Sequence, residues 1–227
     1  MNIAVVSATS RARNVSACSF DVFDTFLFRA CTTPDGVFER VYELSRISEI
    51  CPNVSTSFVQ HRVQAELRAR AKARDRYGSA EVHISDIYSY FPFKLFGLDR
   101  SALNDLVEAE FLAEIELCRA NPDILEKYLE MKRAGYRVGF ISDTYWNSQQ
   151  LARLLRSCSP ELSWDFLYAS CDHRSGKGEK LFAKYLSEQG FDPANSIHFG
   201  DNEHADIKGA RRHGIQPEYY PQASAAL

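Results

Sequence analysis

Ser19-Phe20-Asp21-Val22-Phe23-Asp24-Thr25-Phe26-Leu27-Phe28 decides the fold of this chain. An apolar run ends in a carboxylate and a turn-forming Asp-Thr, which reads as a strand delivering an acid to a site. Two further runs repeat the pattern. Arg137-Val138-Gly139-Phe140-Ile141 ends in Ser142-Asp143, and Ser196-Ile197-His198-Phe199-Gly200 ends in Asp201, with Asp206 five residues on. In an open α/β sheet the binding crevice lies outside the carboxyl ends of the strands, so three such ends bearing acids and a hydroxyl point to one site.

Working outward, residues 31–118 read as helical and contain no strand pattern. Thr33-Pro34-Asp35-Gly36 starts a short amphipathic helix through Val37, Val41, Tyr42, Leu44 and Ile47. Ser57 to Tyr77 forms a long helix closed by Gly78, Ile84 to Phe91 a short one, and Ser101 to Leu117 a Glu-rich one. From Asn121 the pattern alternates. Asn121-Pro122 caps a helix to Ala134, and strands at 137–141, 164–169 and 197–199 are separated by helices at 147–158 and 179–189, with a last helix at 203–213. This βαβα rhythm predicts an α/β fold, a Rossmann-like parallel sheet with helices on both faces. The expected domains are an α/β core of residues 1–30 and 119–227 and an inserted all-helical cap of residues 31–118.

Composition narrows the function. The 227 residues carry a net charge of -3, with 45% hydrophobic and 12% aromatic residues, so the basic excess that neutralises nucleic-acid phosphates is missing. Neither a membrane span of ~20 apolar residues nor a secretory leader is expected, since Met1 to Ala8 is short and is followed by Arg11 and Arg13, and a cytoplasmic location follows. Gln222 to Leu227 reads as a loose tail. The six cysteines form no CxxC pair and are expected as reduced, buried thiols, with no clustered zinc ligands.

Together, Asp21 with its strand, Ser142 at a second strand end, Lys177 in Ser175-Gly176-Lys177-Gly178-Glu179, and Gly200-Asp201-Asn202-Glu203-His204-Ala205-Asp206 resemble, in type and order, the four motifs of the haloacid dehalogenase (HAD) superfamily. The last matches GDxxxxD in full. The resemblance implies the α/β core with a helical cap of the C1 type, and a Mg²⁺-dependent phosphohydrolase acting on a small phosphorylated metabolite through an aspartyl phosphate on Asp21. Asp21, the main-chain carbonyl of Phe23 and Asp201 would hold the metal. Asp206 would stand beside it, directly or through water, and steer Lys177. Ser142, helped by the amide of Asp143, would bind a phosphoryl oxygen, and Lys177, with Lys180 as second choice, would neutralise charge there.

Phe23 departs from the family pattern, which places an acid two residues after the nucleophile to protonate the leaving group; Asp24 stands next to it instead. On a strand Asp24 faces away from Asp21, so a turn-capping role weighs as much as a catalytic one. Three consequences stay open: a good leaving group, a proton from the cap, or phosphate binding without turnover. The last makes a regulatory HAD-like module the alternative, with a glycosyltransferase or carbohydrate-pathway partner by resemblance. A dehalogenase-type hydrolase is a further competitor, because halide needs no proton. In the cap, Arg62, Arg68, Arg70, Lys72, Arg74 and Arg76 make one helix basic, against eight acids and two bases in 101–130. Pairing between these helices is the simpler expectation; Arg62 and Arg70 are the substrate-binding candidates. His198 reads as an ordinary core histidine.

Overall fold

The structure, a computed structural model, describes residues 16–31 and 36–221. The expected signal-free start and the tail lie outside these residues, as does most of the Thr33–Gly36 helix start. Strand β1 (Ala17–Phe20) is followed by a tight turn and β2 (Leu27–Arg29). A helical segment follows: α1 (Gly36–Leu44), α2 (Ile47–Ile50), α3 (Ser55–Tyr77), α4 (Ile84–Tyr88), two 3₁₀ turns and α5 (Leu103–Leu117). The chain returns through β3 (Cys118–Ala120), α6 (Pro122–Arg133), β4 (Arg137–Ser142), α7 (Ser148–Cys158) and β5 (Phe166–Ala169). It continues with α8 (Ser170–His173), α9 (Leu181–Gln189), β6 (Ser196–Gly200), a π-helical turn (Glu203–Lys208), α10 (Gly209–Arg212) and β7 (Gln216–Tyr219).

The five-stranded sheet runs β5-β4-β1-β6-β7 and all its pairings are parallel. Strand β1 is buried throughout its length, because helices cover both faces. It pairs with β4 on one side and β6 on the other, with Phe20 level with Phe140 and Phe199. The strand order therefore reverses at β1, and the chain ends of β1, β4 and β6 lie side by side there. Aromatic packing fixes this alignment: Phe20 stacks on Phe199 at 4.8 Å and Tyr128 of α6 on Phe140 at 5.3 Å. On the opposite face Phe182 and Tyr185 of α9 pack with Phe166, Tyr168 and Ala210.

The sequence pattern located helices α3, α5, α6 and α7 and strands β1, β4, β5 and β6 to within a few residues. Strands β2, β3 and β7 were not expected. The first two pair with each other, antiparallel, Leu27 opposite Ala120 and Arg29 opposite Cys118, and Leu27 also bridges Phe23. A three-residue ladder between segments this far apart leaves no local periodicity. The expected helix at 203–213 opens instead as a π turn, in which Asp206 N and Ile207 N both donate to Asn202 O.

Within the helical segment the basic and acidic helices pair, as the simpler expectation had it. The Arg62 guanidinium is fully buried and forks onto Glu110 of α5, Nε to Oε2 at 2.7 Å and Nη2 to Oε1 at 2.6 Å, while Nη1 donates to Glu66 at 2.9 Å. Tyr88 also donates to Glu110 at 2.7 Å. Removing one member of such a pair strands a desolvated charge, so Glu110→Ala is expected to lower the unfolding free energy by about 3–5 kcal/mol. Urea denaturation checks this. The double variant Arg62→Leu/Glu110→Leu should lie closer to wild type than Glu110→Ala does, and equal or larger destabilisation of the double would contradict a desolvation cost.

Candidate active site

Asp21 follows the last residue of β1, and its backbone N–H donates to Phe199 O at 2.8 Å, holding it at the mouth between β1 and β6. Lys177, in the loop between α8 and α9, reaches back with Nζ 2.5 Å from both Asp21 Oδ1 and Asp206 Oδ1. Three residues from separate strand ends and loops thus share one buried charge cluster. Behind it a relay continues: Asp206 Oδ1 to His198 Nε2 at 2.9 Å, and His198 Nδ1 to Ser19 Oγ at 2.8 Å. Asp206 Oδ2 accepts the N–H of Asn202 at 2.9 Å, and the Asn202 side chain caps His204 and Ala205.

Gly200 is required by this close approach. A Cβ placed on it would lie 2.3 Å from Asp206 Cγ, inside any tolerable contact.

Burial raises the Asp21 carboxyl well above its ordinary range; Lys177 opposes this, while Asp206 and Asp201 add to it. Burial works against the Lys177 ammonium, but the carboxylates of Asp206, Asp21 and Asp143 outweigh it and hold the lysine charged. For Asp206 the burial cost is outweighed by Lys177 and His198, and the carboxyl stays below the usual range. His198, desolvated, is lowered despite its bond to Asp206.

Ser142, the last residue of β4, is buried and its Oγ has no hydrogen-bond partner among the described residues. A buried hydroxyl left unpaired is costly, and it suits an oxygen-bearing ligand. The Asp143 side chain turns to the lysine loop, where its Oδ1 accepts the N–H of Lys177 at 2.9 Å and so fixes that loop. Asp201, just past β6, accepts the Thr25 hydroxyl on Oδ1 at 3.2 Å.

Carboxylate oxygens of Asp21, Asp201 and Asp206 all lie within 4.8 Å of one another, an all-oxygen donor set of the kind that hard divalent cations favour. Both oxygens of Asp206 are already bonded to protein groups. Those bonds orient Lys177 and the loop, which leaves Asp21 and Asp201 as the residues with oxygens freer to meet a cation.

The expectation for Asp24 rested on a strand continuing through Phe23. In the structure β1 ends at Phe20 and the turn has already begun, so alternation no longer applies. Asp24 is left-handed (φ 61°), a conformation that Asp tolerates better than most residues, and its charge acts on Asp201. Phe23 lies beneath the Arg29 guanidinium, 4.5 Å from ring centroid to carbon, and Arg29 in turn forks onto buried Glu114 at 2.8 Å.

Of the two arginines chosen from sequence for the substrate, Arg62 is corrected. Arg62 is sealed in its ion pair with Glu110 and Glu66 and cannot meet a substrate. Arg70 donates to Glu66 at 2.8 Å and to Ala80 O at 3.2 Å, which makes it a brace for the loop after α3. Lys180 stands at the start of α9, and it is Lys177 that meets Asp21. His198, expected as a plain core residue, supports Asp206; its burial in an apolar strand hid that role, although its position two residues before Gly200 placed it on the same side. The structure also brings His83, Cys171 and Asp172 within 4.8 Å, ligand types that no spacing in the sequence groups. Burial pushes the Cys171 thiol up to about 12, which keeps it protonated and a poor donor to metal.

Several solved structures share the fold. A defluorinating L-2-haloacid dehalogenase superposes with a TM-score of 0.65 at 18% identity, covering 93% of this chain and 83% of its own. A 2-haloacid dehalogenase from Pseudomonas syringae pv. Tomato DC3000 gives 0.62 at 18%, covering 91% and 86%. A HAD family enzyme from Bacteroides thetaiotaomicron gives 0.60 at 15%, covering 93% and 96%. A comparison with curated protein sequences returned no match. The sequence model for haloacid dehalogenase-like hydrolases matches residues 15–214, nearly the whole of the described region, and the chain belongs to that family.

Proposed function

We propose that this hydrolase is a Mg²⁺-dependent phosphohydrolase that cleaves a small phosphate ester through Asp21, with the helical segment 31–118 acting as a cap. The observation that carries this reading is the placement of the Asp201 carboxylate beside that of Asp21, two hard anions whose mutual repulsion a divalent cation between them would relieve. A divalent ion held by Asp21, Asp201 and the carbonyl of Phe23 would neutralise the repulsion between the nucleophile and a phosphate dianion.

The protein groups then have distinct tasks. The Asp21 oxygen not bonded to Lys177 attacks phosphorus and the P–O bond to the leaving group breaks, giving an acyl phosphate that water hydrolyses in a second step. The Lys177 ammonium balances charge on Asp21 and on the phosphoryl oxygens, and Asp206 with its His198–Ser19 relay keeps Lys177 in place. The unpaired Ser142 hydroxyl donates to a phosphoryl oxygen.

Phe23 favours a second reading, hydrolysis of a carbon–halogen bond by the same Asp21, because halide departs without a proton and the superposed structures include haloacid dehalogenases. Asp201 counts against it. With p-nitrophenyl phosphate and Mg²⁺, wild type is expected to release phosphate, chelation to abolish this until Mg²⁺ is restored, and Asp21→Asn to lose at least about 10³-fold. Halide release from a 2-chloro acid without phosphate release would select the second reading, and metal and phosphate binding with no turnover would select a binding module.

Gly200→Ala should cost at least about 10²-fold in kcat, because the added carbon displaces Asp206 and with it Lys177. Unaltered turnover would show that Asp206 does not position the lysine. Phe23→Asp is expected to raise turnover of an alkyl phosphate less than about 10-fold, since a carboxylate beneath Arg29 would be held ionised and make a weak acid. A larger gain would place the new group away from Arg29.

A further inference from the structure

We propose that Glu81, carried by the loop between α3 and α4 of the helical segment, donates the proton to the leaving group in place of the acid that Phe23 displaces. This rests on Asp21 acting as the nucleophile toward a phosphate ester.

The geometry comes from Gly176, the residue before Lys177. A Cβ built there would meet Glu81 Oε1 at 3.3 Å and both carboxylate oxygens of Asp143 at 3.4 Å, so Glu81 and Asp143 converge closely over Gly176. That glycine adjoins the catalytic groups: Asp143 follows Ser142 and accepts the Lys177 N–H, and Lys177 Nζ sits on Asp21. Glu81 is the carboxylate that the helical segment brings to this point.

Its orientation is fixed from behind. The Ser170 hydroxyl donates to Glu81 Oε2 at 2.5 Å and accepts the N–H of Thr144 at 2.9 Å, which leaves Oε1 turned toward Gly176 and Asp143. The main chain is braced by Arg174, which donates to Glu81 O at 3.2 Å and pairs with Asp86 at 3.0 Å, and by Arg70 on Ala80 O.

The charge environment favours a protonated Glu81. Burial raises its carboxyl, Asp143 and Glu179 add like charge, and Ser170 and Arg70 oppose this without cancelling it. Desolvation raises Asp143 as well, opposed by the Lys177 ammonium and the Lys177 N–H. A buried carboxyl beside a second acid is disposed to keep its proton, as a general acid must. Asp24, the other unassigned acid, lies near enough for its charge to act on Asp201.

The step balances simply. As Asp21 bonds to phosphorus, the ester oxygen leaves with the P–O electron pair and takes the proton from Glu81 Oε1, which becomes a carboxylate. In the second step that carboxylate takes a proton from the attacking water and is restored.

The test compares p-nitrophenyl phosphate, whose leaving group needs no proton, with an alkyl phosphate, whose leaving group does. Wild type, Glu81→Gln, Glu81→Asp and Asp24→Asn are assayed with Mg²⁺. For Glu81→Gln, kcat/KM on the alkyl ester is expected to fall roughly 10²–10⁴-fold, at least about tenfold more than on the aryl ester, with partial recovery in Glu81→Asp. Because the readout is a ratio within one variant, partial misfolding leaves it intact. Equal losses on both esters in Glu81→Gln, or a leaving-group-dependent loss in Asp24→Asn instead, would overturn the assignment while leaving Asp21 as nucleophile. No phosphate release by wild type from either ester would remove the phosphohydrolase reading and this inference with it.

Discussion

The charge cluster of Asp21, Lys177 and Asp206 is the constraint on which the rest of this structure depends. Burying an ammonium and two carboxylates costs several kcal/mol per ion, and the cost is met only when each remaining hydrogen-bonding position finds a partner. Here His198, Ser19 and the Asn202 amide complete the set around Asp206, and the π turn after β6 exists to bring Asp206 back toward the strand it has just left. One oxygen of Asp21 and the hydroxyl of Ser142 are left for a ligand. A buried cluster completed on one side and incomplete on the other is a reaction site more readily than a stabilising device.

Ion pairs tie the helical segment together and to the strands that lead into it. The Arg29–Glu114 fork ties β2 to α5, Arg62–Glu110 ties α3 to α5, and Arg29 also covers Phe23. The aromatic at position 23 is thereby part of the joint between core and helices. Phenylalanine has no proton to give, and the loop carrying Glu81 meets Ser170, the residue after β5, and Gly176 before Lys177.

What the sequence showed well were elements whose evidence is local. The capping residue Asn121 and the proline after it, the alternation of strands with helices and the acid at the end of each apolar run all survive in the structure. Asp21, Ser142, Lys177 and Asp201 could be named before any coordinates because their order along the chain carries the family pattern. What it could not show were residues whose importance comes from a partner far away. His198 looks like filler until Asp206 and Ser19 are seen on its two nitrogens, and pairing of the two helices could be expected without showing that Arg62 is the arginine sealed against Glu110.

Sequence by itself therefore determined the class of fold, the polarity of the sheet and the chemical types that gather at its carboxyl edge, since periodicity and strand-end residues are properties of short stretches. Only the tertiary structure decided that β1 stops at Phe20, that Asp206 holds Lys177 through Oδ1 and the Asn202 N–H through Oδ2, and that Arg62 pairs with Glu110 and Glu66 and Arg70 with Glu66. Those outcomes are set by which charges are desolvated together, and desolvation depends on the packing of segments separated by tens of residues, a quantity no local window contains.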